Sequence, residues 1–176
     1  MDLGFDIVDL PPADPPAVGE TAPDLTRPLV TAEYWQDVAL GELTAEGPVL
    51  VVFHPMDGAF PTTYAWKEIA GRGWGDRLRV VGVSVSDPYA HKQLIRERGL
   101  EDGDYALYSD PQNGLAEAFG VTHDLDGMAG VVEARPAAFL LDGDHTVRYA
   151  WAASQWPEFP DYDAVEAAID ELVGGA

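Results

Sequence analysis

Two continuous apolar runs on either side of a helix-forming stretch constrain the fold of this chain more than any other feature. Residues 48–53 read PVLVVF and stop at His54-Pro55, and residues 77–86 read RLRVVGVSVS. A run apolar at nearly every position suits a strand buried on both faces at the centre of a sheet. Between the runs, residues 62–71 hold no proline and predict a helix. The unit is strand, helix, strand, which makes a parallel pair with a right-handed crossover.

Punctuation extends this frame. Asp87-Pro88 supplies a helix N-cap with proline in the first turn, predicting a helix over 89–98 that Gly99 ends. Residues 105–109 form a short strand. Asp110-Pro111 predicts another helix start, with Leu115, Ala118 and Phe119 on one face before Gly120. Runs 137–141 and 147–152 flank Asp142-Gly143-Asp144-His145, a hairpin signal. In 163–173, Val165, Ala168, Ile169 and Leu172 follow a helical stripe.

Upstream, residues 10–28 carry six prolines, which forbid helix and disfavour a central strand. Residues 1–17 are expected to be an extended arm, and 18–176 a single domain. Residues 32–43 suggest a short helix or an irregular turn. The order, with parallel strands first and an antiparallel pair last, predicts an α/β, thioredoxin-like architecture: a central mixed sheet flanked by helices. Spacing alone does not separate this from a flavodoxin-like order; the closing hairpin favours the former.

At 176 residues with 47% hydrophobic content, the chain has material for one buried core. Acidic residues outnumber basic ones 31 to 10, giving a formal charge of −21, and only Lys67 and Lys92 are lysines. Phosphate backbones and anionic lipid need clustered Lys or Arg, so nucleic acid and membrane surfaces are not expected partners. The carboxylates are spread along the chain, as a surface adapted to a salt-rich cytoplasm would have them. Met1 to Leu10 carry three Asp and no basic residue, unlike a signal peptide, and no run reaches the ~18–20 apolar residues of a spanning helix. A cytoplasmic location is the expectation.

No cysteine is present. Disulfides, thiolate metal sites and cysteine nucleophiles are therefore excluded.

Several segments taken in order resemble the peroxiredoxin family, of the alkyl hydroperoxide reductase and bacterioferritin-comigratory type. They are Val18-Gly19-Glu20-Thr21-Ala22-Pro23-Asp24-Leu25, Phe53-His54-Pro55-Met56-Asp57, Tyr108-Ser109-Asp110, Ala116 to Val121, and the hairpin from Phe139 to Trp151. The resemblance implies a loop of proline, three residues, threonine or serine, two residues, then a cysteine whose thiolate attacks peroxide. The matching positions here are Pro55, Ala59 and Thr62. A threonine hydroxyl has neither the accessible ionisation nor the oxidisable sulfur of a thiolate, and Ala59 lacks a hydroxyl.

The resemblance also implies an arginine three residues before the hairpin phenylalanine. Here Arg135 lies four before Phe139, and Pro136 holds the expected place. In a strand, a shift by one residue points a side chain to the other face. Arg135 is thus expected to miss the pocket unless a bend at Pro136 restores it; Pro136 itself resembles the cis-proline of the wider fold. His54, Met56, Phe60, Tyr64 and Pro136 are candidate pocket-lining residues. A homodimer is implied by the family, and no cofactor is expected.

Bland readings compete with other chemistry. Thr62 or Thr63 beside His54 could be a hydroxyl nucleophile, but no third group to orient His54 is evident, and Thr62 as helix N-cap is simpler. His54, His91, His123 and His145 lack the spacing that places two metal ligands on one helix face, and a loop site at His123-Asp124-Leu125-Asp126 is weak. His145 reads as a turn residue. Trp35, Trp66, Trp74, Trp151 and Trp156 are expected mainly in the core, and the Pro-flanked cluster Trp156-Pro157-Glu158-Phe159-Pro160 is expected to be exposed for a partner. The reading that follows is a non-catalytic scaffold for binding or assembly. The alternatives are non-thiol chemistry in the residual pocket and an accessory to a thiol-bearing redox partner.

Overall fold

The computed structural model describes residues 6–123 and 127–174. Its elements begin β1 (Val8–Asp9), β2 (Thr26–Val30), β3 (Trp35–Ala39), α1 (Leu40–Thr44), β4 (Val49–Phe53), α2 (Phe60–Gly71), β5 (Arg79–Ser84) and α3 (Pro88–Glu97). They continue with β6 (Tyr105–Ser109), α4 (Gly114–Ala118), β7 (Thr122–His123), β8 (Glu133–Ala134), β9 (Ala137–Leu141), β10 (Val147–Ala152), β11 (Gln155–Trp156) and α5 (Tyr162–Val173).

A seven-stranded mixed sheet runs β10-β9-β4-β5-β6-β2-β3. The two apolar runs are its central parallel pair, Val49 opposite Arg79 through Phe53 opposite Val83. Antiparallel β9 borders β4, and β10 closes the expected hairpin. Alternation along β4 builds both cores at once: Val49, Val51 and Phe53 join α1 and α4 on one face, while Leu50 and Val52 join α2, α3 and α5 on the other. That two-sided burial is why these runs are apolar at every position. Trp66 of α2 lies so close to the sheet that a Cβ on Gly82 would sit 2.5 Å from its Cζ2 and 2.3 Å from Leu107 Cδ2.

Three elements differ from the sequence reading. The stretch 32–43 is edge strand β3 followed by one helical turn, because Gln36, Asp37 and Val38 pair with β2. Strand β2 contains Pro28 yet lies one strand in from the edge. It is tolerated because β6 pairs only with Leu29 and Val30, so no ladder bond is asked of the missing N–H. Helix α4 starts at Gly114, later than Pro111, although the Asp110 carboxylate still accepts from the N–H groups of Gly114 and Leu115.

The proline-rich arm is extended and docked. β1 pairs with β11, the Leu10 N–H donates to Ser154 O, and the Asp14 N–H donates to Gly120 O. No helix among the described residues is long and apolar enough to cross a membrane.

Candidate functional site

Strand β4 ends at Phe53 and delivers residues 54–61 to the start of α2, the loop that holds Pro55 and Ala59 and leads to Thr62. Helix α2 begins two residues earlier than expected. Its N-cap is Ala59, which offers no side-chain cap, and Pro61 occupies the first turn. Thr62 is therefore inside the helix and not its cap. Its side chain is 1% exposed, and its hydroxyl donates to Met56 O at 3.0 Å, tying the helix back to its own loop.

Around Thr62 there is almost no space. The residual cavity is about 10 Å³, lined by His54, Pro55, Pro61, Thr62, Ala65 and Pro136, with Glu158, Phe159 and Pro160 over it. That is about the least volume that admits one water. His54 and Pro136 thus meet at Thr62, whereas Met56, Phe60 and Tyr64 do not line the cavity. Phe60 and Tyr64 are 40% and 54% exposed, with ring centroids 4.7 Å apart. The cluster 156–160, expected to be exposed, is half-buried and roofs this site instead, because its apolar groups find an internal surface to cover.

Arg135 does not reach Thr62. Along β9, Ala137, Phe139 and Leu141 face one core and Leu140 the other. Carried back through the chain, this parity puts Pro136 on the α2 side and Arg135 on the opposite one. The Arg135 Nη1 donates to Pro11 O at 2.7 Å and Ala153 O at 3.2 Å. The bond before Pro136 is trans; the cis X-Pro bond is Trp156–Pro157.

Behind the loop lies a polar network that the sequence reading missed. Trp66 Nε1–H donates to His54 Nδ1 at 3.1 Å, so that nitrogen is the acceptor and Nε2 carries the proton. His54 Nε2 then donates to Asp57 Oδ1 at 2.8 Å, which also accepts from Ser84 Oγ at 2.9 Å. The other carboxylate oxygen, Oδ2, lies 2.5 Å from His91 Nδ1, and His91 Nε2 lies 2.9 Å from Tyr108 O. The Asp57 N–H donates to Ser86 Oγ, and the Met56 N–H to Glu133 Oε2.

Burial dominates the ionisation of His54: desolvation lowers its pKa further than the hydrogen bond and charge of Asp57 raise it. The neutral ring demanded by the Trp66 contact is thus also the favoured one. Burial pulls Asp57 the other way, upward, but hydrogen bonds from His54 and His91 outweigh it and hold the carboxyl well below the usual carboxylate range. His91 is fully buried, with the Asp57 carboxylate beside Nδ1 and Tyr108 O beside Nε2.

The histidines read as dispersed are in part gathered: the His54 and His91 rings are 6.5 Å apart around Asp57. The available signal was Asp57 three residues after His54, and His91 on the same helix face as Leu94 and Ile95. His54 is engaged at both nitrogens by Trp66 and Asp57, and Thr62 by Met56, so these two groups do not form a nucleophile and base. His145 is more than a turn residue: at φ 62° it bonds Thr44 Oγ1 and Pro23 O. Among the described residues no group of three His, Asp or Glu is arranged to hold a metal, and positions 124–126 of the suggested loop site lie outside them. Of the tryptophans, Trp66 and Trp74 are buried, Trp151 and Trp156 half-buried, and Trp35 exposed.

The frame matches known proteins. The AhpC/TSA family model matches residues 18–150. Over 144 residues the chain is 29% identical to the chloroplastic 2-Cys peroxiredoxin BAS1 of Spinacia oleracea and 30% identical to that of Hordeum vulgare. The match covers 78% of this chain in both cases, and 52% and 66% of the respective relatives. The chain thus spans about half the length of the spinach relative. The solved reduced 2-Cys peroxiredoxin of Plasmodium vivax aligns with a TM-score of 0.71 at 21% identity, over 89% of this chain and 81% of that one, and shares the fold. The matched span takes in the loop, the sheet from β2 through β9 and all but the last two residues of β10, and the chain belongs to the AhpC/TSA family of peroxiredoxins.

Proposed function

We propose that this chain is a non-catalytic peroxiredoxin-like protein that retains the scaffold for binding or assembly, works as a homodimer, and serves in a salt-rich cytoplasm. The observation that carries the reading is the closed Thr62 position, with a cavity of about 10 Å³ under Phe159 and Pro160. Peroxide attack needs a soft nucleophile, a path to it and donors for the departing oxygen. Thr62 supplies no sulfur and spends its proton on Met56 O, Ala59 supplies no hydroxyl, and Arg135 faces away. The exposed Phe60–Tyr64 pair supports a self-contact, and the formal charge of −21 supports life at high salt.

The test is consumption of hydrogen peroxide and an alkyl hydroperoxide in high salt by the wild type, Thr62→Cys, and Thr62→Cys with Phe159→Ala. The wild type is expected to be inert. Thr62→Cys alone is expected to stay inert as well, its thiol reacting slowly with a thiol reagent because the roof covers it. Peroxide turnover by the wild type overturns the proposal. Sedimentation in the same buffer reads the dimer.

A further inference from the structure

Arg135 is 3% exposed, and no carboxylate among the described residues pairs with it. Of the seven other arginines, all more exposed, Arg27, Arg72, Arg77, Arg79 and Arg148 have an acidic partner, while Arg96 and Arg98 do not among the described residues. In a chain with 31 acidic residues, its most buried arginine lacks one. A guanidinium out of water is costly without a counter-charge, and the two carbonyls at Nη1 return part of that cost. Nε has no partner, and the guanidinium makes no other hydrogen bond among the described residues.

This arginine lines a cavity of about 440 Å³ between the arm and β10, with Leu10, Pro11, Pro12, Trp151 and Ser154 on its walls. The volume lies within the range of small-molecule sites, as does the pattern of apolar walls around one charged group. Nε is closed to solvent, which leaves Nη2 as the donor that no carbonyl engages and that an incoming carboxylate oxygen can meet. No second cation lines the cavity, so a phosphate dianion would be left half-neutralised, whereas a single carboxylate balances a single arginine.

We propose that the Arg135 cavity is a binding site for a small organic carboxylate, its charged end at the Arg135 guanidinium and its apolar body against Trp151 and the arm prolines. The cavity lies on the other side of the Arg135-Pro136 segment from Thr62, so the site does not depend on whether Thr62 is inert. Burial lowers the arginine's pKa from its ordinary value, a strain that an incoming anion relieves. The arm forms one wall, so a bound acid also fastens the arm to β10.

The experiment titrates the full chain in high salt with phenylacetate, its neutral isostere phenylacetamide, and inorganic phosphate, reading tryptophan emission and the thermal midpoint. Phenylacetate is expected to bind at least about tenfold more tightly than the other two, ~1.4 kcal/mol. Arg135→Gln is expected to bring the acid down to the amide. Trp151→Leu, on the same wall, is expected to weaken both organic probes while preserving their ratio, so the proposal stays testable if Arg135→Gln does not fold. Equal binding of acid and amide, binding of neither, or phosphate binding as tightly as phenylacetate overturns it. Peroxide turnover is read separately, so failure here is distinct from failure of the inert-site reading.

Discussion

On the α2 side of the Arg135-Pro136 segment, a polar loop is shut: His54, Asp57 and His91 each use both side-chain heteroatoms, and about 10 Å³ remains beside Thr62. On the arm side, about 440 Å³ stays open around a cation that bonds only backbone carbonyls. The two regions adjoin at Arg135 and Pro136, and Thr62 and Arg135 are comparable in burial, so depth does not separate them. What separates them is completion. A polar group with every partner in place becomes a structural joint, whereas one with donors to spare is still equipped to meet something from outside.

The strongest way to break this comparison is to remove the joint. Asp57→Ala leaves His54 Nε2, Ser84 Oγ and His91 Nδ1 without their shared acceptor, and is expected to cost about 3–5 kcal/mol of stability by urea unfolding. A loss below ~1 kcal/mol would show that the network is not what closes this side. Next comes Gly82→Ala, whose new methyl must push Trp66 and Leu107; a destabilisation of about 1–3 kcal/mol is expected.

A pH titration sharpens the contrast. His54 has a lowered folded pKa, so the unfolded chain takes up a proton below its ordinary value near ~6.5 while the folded chain resists. Stability is therefore present above that pH and lost as it falls, by up to about 1.4 kcal/mol per unit. Asp57, also lowered, adds a loss only below its unfolded value near ~3.9. His54→Gln, which can still donate to Asp57, is expected to flatten the slope between about pH 6.5 and 5; an unchanged slope would assign it elsewhere. The smallest effect belongs to the open side. Arg135→Met is expected to lie within about 1 kcal/mol of the wild type or above it, since an unpaired buried charge contributes little that an apolar chain does not. A loss as large as that of Asp57→Ala would erase the distinction.

The frame was legible because burial leaves a one-dimensional trace. The runs at 49–53 and 79–84, the Asp87-Pro88 start and the turn at Asp142-Gly143 each write their structure locally. The displacement of Arg135 was legible too, since strand parity is counted from one residue. The network was not. His91 and Asp57 are 34 residues apart and meet only when α3 folds over the β4 end of the sheet, and no local pattern distinguishes a histidine that bonds a carboxylate from one that merely packs. The roof escaped for a related reason: prolines at 157 and 160 announce an irregular segment but not the surface it covers.

The spacing between Arg135 and Phe139 bears on reversibility. A substitution such as Thr62→Cys exchanges one side chain and can be undone by another. The residue count between an arginine and the strand it precedes is a matter of length, and strand parity makes it binary: an odd change turns the side chain through to the opposite face, and no replacement of atoms at that position turns it back. Facing an arginine toward Thr62 therefore takes either a one-residue deletion between Arg135 and the strand or a new arginine at position 136, and no change at position 135 itself does it.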